Sequence, residues 1–212
     1  MVDLRKYGNV PLEYKALKLD LSSYQSPKDK IDSLVREGLL IRLKKGWYVV
    51  SKEVSQQPYC RGSIANTLHG PSYVSLETAL SYYGLIPESV YTTLSVTSQR
   101  AKKYSNEIGF FQYEKAPLGY YRIGMTTVSP QLGCSYLQAT PEKAICDKLY
   151  FTRGLRIQSN RAMREFLFED MRMDFSSLEN FDFNVVDKVI EQGKKTNLFK
   201  ILREVLRNEF RG

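Results

Sequence analysis

Lys44-Lys45-Gly46 stands between two apolar runs in LLIRLKKGWYVV, and Gln25, Ser26, Lys28, Lys30, Ser33 and Arg36 recur through the preceding QSPKDKIDSLVR. Ammonium and guanidinium groups bind phosphate oxygens, while short polar side chains on a helix reach base edges. The chemistry these types and spacings point to is nucleic-acid recognition. Asp29 and Asp32 lie among the cations. Unpaired carboxylates repel phosphate, so they argue against a merely sticky cationic surface; they can accept from cytosine amino groups or orient a neighbouring lysine.

Chemistry of other kinds finds little to work with. His69 is the only histidine, which removes every zinc site that needs two, and in LHGPS it reads as a loop residue. Cys60, Cys134 and Cys146 are odd in number and far apart, without a CxxC spacing, and read as reduced thiols. No GxSxG elbow, phosphate loop or dinucleotide fingerprint is present. A metal-dependent nuclease wants two or three carboxylates at one site. Glu13-Tyr14-Lys15 has the acid-x-lysine form but no strand-borne acid to partner it, and a cap and an ordinary salt bridge account for Glu142 and Asp147-Lys148. No catalytic residue, metal or cofactor is therefore assigned.

The elements that must position the cations follow from local pattern. Ser26 can cap a helix that Pro27 opens and Gly38 ends in the left-handed conformation. Ile31, Leu34 and Val35 share its inner face, which turns Asp29, Ser33 and Arg36 outward. Upstream, Pro11 opens a helix carrying Leu12, Ala16 and Leu19, with LSSYQ as the turn between the two. Downstream, Leu39–Lys44 and Trp47–Val50 form two strands joined by Lys44-Lys45-Gly46. Helix, turn, helix, hairpin is the order of a winged helix-turn-helix, in which the second helix enters the major groove and the hairpin tip lies on phosphate.

After SKEVSQQPYCRGS the texture changes. A helix capped by Ser75 and stopped by Gly84 buries Leu76, Ala79, Leu80 and Tyr83; a strand runs from about Tyr91 to Thr97; IGFFQYEK and GYYRIGMTTV are strand-like; Thr140-Pro141-Glu142 opens another helix. From about Ser159 the chain reads as helical, ending in a packed stripe of Leu198, Ile201, Leu202, Val205 and Leu206. The expected fold is α+β: a winged helix over residues 1–58, then a larger mixed α/β domain with C-terminal helices over 59–212.

Thirty-one Lys and Arg against 23 Asp and Glu give a net charge of +8, which favours polyanionic partners. Residues 1–60 hold 11 basic and 7 acidic side chains, so the excess per residue is more than twice as dense there as in the remainder. Arg100, Lys102 and Lys103 form a second basic knot, and Arg153, Arg156, Arg161 and Arg164 another; solvated charge, RNA and an extended DNA footprint are the choices for both. Nothing approaches the run of about 20 apolar residues that a membrane span needs, and MVDLRKYG lacks a signal peptide's apolar stretch, so the expected location is cytoplasmic.

YVSLETALSYYGLIPE, YTTLSVTSQRAKKY and ATPEKAICDKLYF, in that order behind a module ending in LLIRLKKGWYVV, resemble the AbiEi family of type IV antitoxins and viral-defence transcriptional regulators. The likeness runs from about Val10 to Leu155. It implies a cytoplasmic repressor whose N-terminal domain binds inverted repeats of double-stranded DNA in its own promoter. Its C-terminal domain would neutralise an AbiEii-like nucleotidyltransferase toxin, with or without a stable complex. The DNA-contacting positions it implies here are Gln25, Ser26, Lys28, Lys30, Ser33, Arg36, Lys44 and Lys45; it supplies no motif for the antitoxin activity. A metal-dependent nuclease and a protein-protein adaptor built on the same module are the alternatives.

Overall fold

A computed structural model describes residues 3–178 and 180–210. After a 3-10 turn at Leu4–Tyr7, the N-terminal elements are β1 (Leu12–Glu13), α1 (Tyr14–Asp20), α2 (Pro27–Arg36), β2 (Leu40–Lys44) and β3 (Trp47–Val50). The three strands form one antiparallel sheet in the order β1-β3-β2. α2 keeps the expected bounds: Ser26 precedes it in extended conformation, and Gly38 follows with φ 70°. Ile31 and Leu34 are buried with Leu4, Leu17, Leu21, Leu40, Tyr48 and Val50 in one core.

The helix before it starts later than Pro11 suggests. Leu12 and Glu13 are extended and pair with Tyr48 and Trp47, which delays the helix to Tyr14 and rotates its buried face onto Leu17 and, just past its end, Leu21. Leu19 is left 74% exposed. Pairing with a neighbouring strand here outweighs an apolar spacing that fits a helix.

The hairpin also departs from expectation. Lys44 is the last residue of β2, opposite Trp47, so the turn is the two residues Lys45 and Gly46, the glycine at φ 78°. A bulge at Leu43 lies between the paired residues Arg42 and Lys44. The hairpin is apolar on both faces because both are covered. Leu40, Tyr48 and Val50 face the N-terminal helices, whereas Leu43 and Val49 belong to a second core with Ile64, Ala65, Leu68, Val74, Phe111 and Tyr113.

A short helix α3 (Lys52–Ser55) leads to α4 (Arg61–Leu68), β4 (Ser72–Val74), α5 (Leu76–Tyr82), β5 (Thr92–Thr97), β6 (Lys102–Asn106), β7 (Gly109–Lys115), α6 (Leu118–Tyr121), β8 (Met125–Gln131), β9 (Cys134–Ala139) and α7 (Pro141–Phe151). GYYRI, expected as strand, is the helical turn α6 and its end. The six strands make a mixed sheet in the order β6-β7-β5-β4-β9-β8, parallel only at β5/β7 and β4/β9. Alternation along β4 divides the burial: Tyr73 joins the core with α5 and α7, and Val74 joins the one shared with α4 and the hairpin. α8 (Asn160–Arg164), a π-helical stretch (Glu165–Asp170), α9 (Phe183–Glu191) and α10 (Thr196–Glu209) close the larger core, where the Leu198–Leu206 stripe is buried as expected. No helix among the described residues is long and apolar enough to cross a membrane.

Candidate nucleic-acid interface

α2 carries its polar residues as its apolar face dictates. Gln25, Ser26, Lys28 and Arg36 are exposed; Ser33 is half-buried and donates to Glu37 Oε1 at 2.5 Å, which leaves its hydroxyl spoken for in the free chain. Lys30 lies on the flank, 5.8 Å from the Tyr24 ring, on the wall of a cleft of about 460 Å³ with Leu4, Leu34 and Leu39. Over residues 28–37 the helix and its C-cap residue hold Lys28, Lys30 and Arg36 against Asp29, Asp32 and Glu37. α2 and its cap together therefore add no net positive charge, and any attraction to a polyanion comes from what surrounds them.

The hairpin supplies part of that charge, in a way the sequence does not disclose. Lys44, expected at a phosphate, instead donates from Nζ to the carbonyl oxygens of Thr67 and Leu68 at the C-terminal end of α4. Carbonyls left over at a helix end attract a cation. Burial, and next the nearby Lys102 charge, hold the Lys44 ammonium below its ordinary pKa. Lys45 is exposed at the turn itself. The backbone N–H of Tyr14, which opens α1, donates to Gly46 O at 2.8 Å, so the start of α1, with exposed Lys15 beyond it, sits against the hairpin tip.

Contacts from the hairpin tip continue to the second basic knot. His69, directly after α4, places Nε2 2.9 Å from Arg100 O, with its ring 5.1 Å from Tyr113 and 6.1 Å from Tyr104. It is a packed residue at a helix end. Arg100 leads into β6, an edge strand on which Lys102 and Lys103 are exposed and Lys102 lies 4.7 Å from the Tyr104 ring. Among the described residues, Lys28, Lys30, Arg36, Lys45, Arg100, Lys102 and Lys103 have no carboxylate within 4 Å, whereas Lys15 is 4.0 Å from Glu13. Cations without intramolecular partners are free to release counterions to a polyanion.

The carboxylates that a nuclease would need are otherwise engaged. Glu142 Oε1 accepts from the backbone N–H of Asp182 at 3.0 Å. Asp147 is fully buried, 2.9 Å from Lys143 Nζ, and accepts from Tyr73 Oη at 3.1 Å and Ser75 Oγ at 2.6 Å. Lys148 turns away from its neighbour to pair with Glu77 at 2.5 Å. Sequence spacing concealed this buried network, because Tyr73 and Ser75 lie more than 70 residues from Asp147. Ser75, expected to cap α5, gives its hydroxyl to Asp147 instead, and the next residue, Leu76, holds a left-handed φ of 55°.

The expectation of three reduced thiols is corrected for two of them. Cys60 and Cys134 form a disulfide across 74 residues, since α4, which Cys60 precedes, packs on β9, which Cys134 begins, and their Cα atoms lie 5.6 Å apart. Cys146 is a buried thiol whose pKa is pushed up by burial. The chain matches no protein-family model and no curated protein.

Proposed function

We propose that residues 4–50 act as a winged helix-turn-helix that binds double-stranded DNA, and that the protein represses its own promoter through inverted repeats. One observation carries the proposal most directly: β1, α1, α2, β2 and β3 follow one another with β1 paired to β3, and the hairpin tip and α2 bear cations without carboxylate partners among the described residues. In this arrangement α2 enters the major groove from its N-terminus with Gln25, Ser26 and Lys28 leading. Lys45 lies on phosphate, while Lys44 holds the hairpin to α4. Arg100, Lys102 and Lys103 extend the phosphate-binding surface beyond the tip. The antitoxin role against a nucleotidyltransferase-like toxin is supported by the resemblance of residues 10–155 to the AbiEi family and by no geometry of the second domain.

The test is an electrophoretic shift against the protein's own upstream promoter DNA, with a scrambled duplex as competitor and two salt concentrations. Retention that survives the competitor and weakens steeply with salt is the expected result. Lys45→Ala should weaken binding to all sequences alike and reduce the salt slope by about 1, while Lys28→Ala alters preference between operators. Equal retention on both duplexes, or none, overturns the repressor. The balanced charge of α2 favours one second reading, an adaptor that binds a protein through this helix; a partner held without salt dependence would select it.

A further inference from the structure

The joint between the two parts of the chain is tied at one place by covalent and polar contacts together. Cys60 occupies the N-cap of α4, and its backbone N–H donates to Asn9 O at 3.2 Å. The buried Asn9 donates in turn from Nδ2 to Pro58 O at 2.6 Å, and Gln131 Nε2, from the strand before the β8–β9 turn, reaches the same oxygen at 3.4 Å. Through Cys134 the disulfide fastens this linker to the start of β9. Both cysteines are almost wholly buried, yet both line a cavity of about 260 Å³ together with Tyr59, Arg61, Gln131 and Tyr136. Arg61 donates to Tyr91 O at 2.7 Å, and its Nε is buried with no hydrogen-bond partner among the described residues.

We propose that Cys60–Cys134 is an exchangeable disulfide, opened by a low-molecular-weight thiol that enters this cavity, and that its state sets how firmly the linker holds the joint. The surroundings of the two sulfurs differ. Cys60 sits at the amino end of a helix whose first residue, Arg61, lines the same cavity, a setting in which negative charge on sulfur is stabilised; Cys134 begins a strand. A thiolate therefore attacks Cys134 Sγ, the S–S bond breaks, and the Cys60 sulfur leaves with the electron pair as a thiolate beside Arg61. A second thiolate attacks the small-molecule sulfur of the mixed disulfide on Cys134 and releases Cys134 as a thiolate, and the two cysteine thiolates take up the two protons that the small thiols gave to water. Two small thiols are oxidised to one disulfide and the protein disulfide is reduced to two thiols, so atoms and electrons balance. With the bond open, the linker is held at Pro58 and Cys60 by hydrogen bonds alone.

The experiment counts thiols in the full chain purified without reductant, denaturing it only at the moment of counting. Untreated protein should give one thiol, Cys146, and native protein first incubated with millimolar reduced glutathione should give three. Arg61→Gln should leave the counts unchanged and slow the exchange by roughly threefold. Opening the bond should speed chymotryptic cleavage after Tyr59 and lower the thermal midpoint by about 10 °C. Three thiols in untreated protein, or a bond that glutathione opens only after denaturation, would overturn the proposal. So would a Cys60→Ser, Cys134→Ser double variant as resistant to chymotrypsin as the oxidised chain. None of these readouts uses DNA, so they stand or fall apart from the repressor.

Discussion

Asp147 and Lys143 show how much one buried pair is asked to hold. Both side chains are shut away from solvent, Lys143 Nζ also donates to Tyr120 O at 3.2 Å, and the same ammonium lies 3.2 Å from the centre of the Tyr120 ring. Burial drives the Lys143 pKa down and Asp147 opposes the shift, so the pair is stable only while both members are present. Asp147→Ala should destabilise the chain by about 3–5 kcal/mol, because it strands a buried cation and frees the hydroxyls of Tyr73 and Ser75. Lys148→Ala, which breaks the more exposed pair with Glu77, should cost no more than about 1 kcal/mol. Urea denaturation of the two variants decides it, and similar losses would mean that the interior pair is not ionic. CDK invites pairing of adjacent residues, but helix geometry sets Lys143 and Asp147, four apart, on one face and sends Lys148 to another.

Among the elements, those whose pattern is local were legible: α2 between Ser26 and Gly38, the hairpin around Lys45-Gly46, and α7 behind Thr140-Pro141. The elements that go wrong depend on a distant partner. Leu12–Glu13 is a strand only because β3 is there to pair with it, and β4 is a three-residue strand that pairs with β9 across 64 residues, Val74 opposite Gln138. Of the candidate interface, the exposed positions of α2 and Lys45 could be read from periodicity. The diversion of Lys44 could not, since its acceptors belong to α4. The packing of α4 on β9 was equally hidden. A Cβ on Gly62 would come within 2.4 Å of the Tyr136 ring carbons, so Gly62→Ala should destabilise by about 1–3 kcal/mol through overpacking. Adding Tyr136→Leu should recover part of that loss; additive losses in a denaturation cycle would show that the two do not meet.

The whole molecule divides less cleanly than a boundary at residue 58 implies, because one wall of its second core, Leu43 and Val49, comes from the N-terminal hairpin. That core and its neighbour contain the tyrosines that should govern stability in alkali. Tyr73, Tyr113 and Tyr120 are raised above the ordinary phenol value chiefly by burial, and Tyr136 is raised to about 12 by the same cause. A group whose folded pKa exceeds its unfolded one contributes stability that is complete below the unfolded value. Between about pH 10 and 12 the unfolded chain releases these phenolic protons while the folded chain keeps them, so stability falls by about 1.4 kcal/mol per pH unit for each tyrosine still protonated in the fold. Lys44 and Lys195 are lowered by burial and act in the opposite sense, since the folded chain gives up their protons first. Tyr113→Phe separates the contributions. Losing the hydroxyl that donates to Ala65 O at 2.7 Å should make the variant less stable than the parent at pH 8. Above pH 10 its urea midpoint should nevertheless fall less steeply, and parallel curves for parent and variant would show that Tyr113 does not hold its proton in the fold.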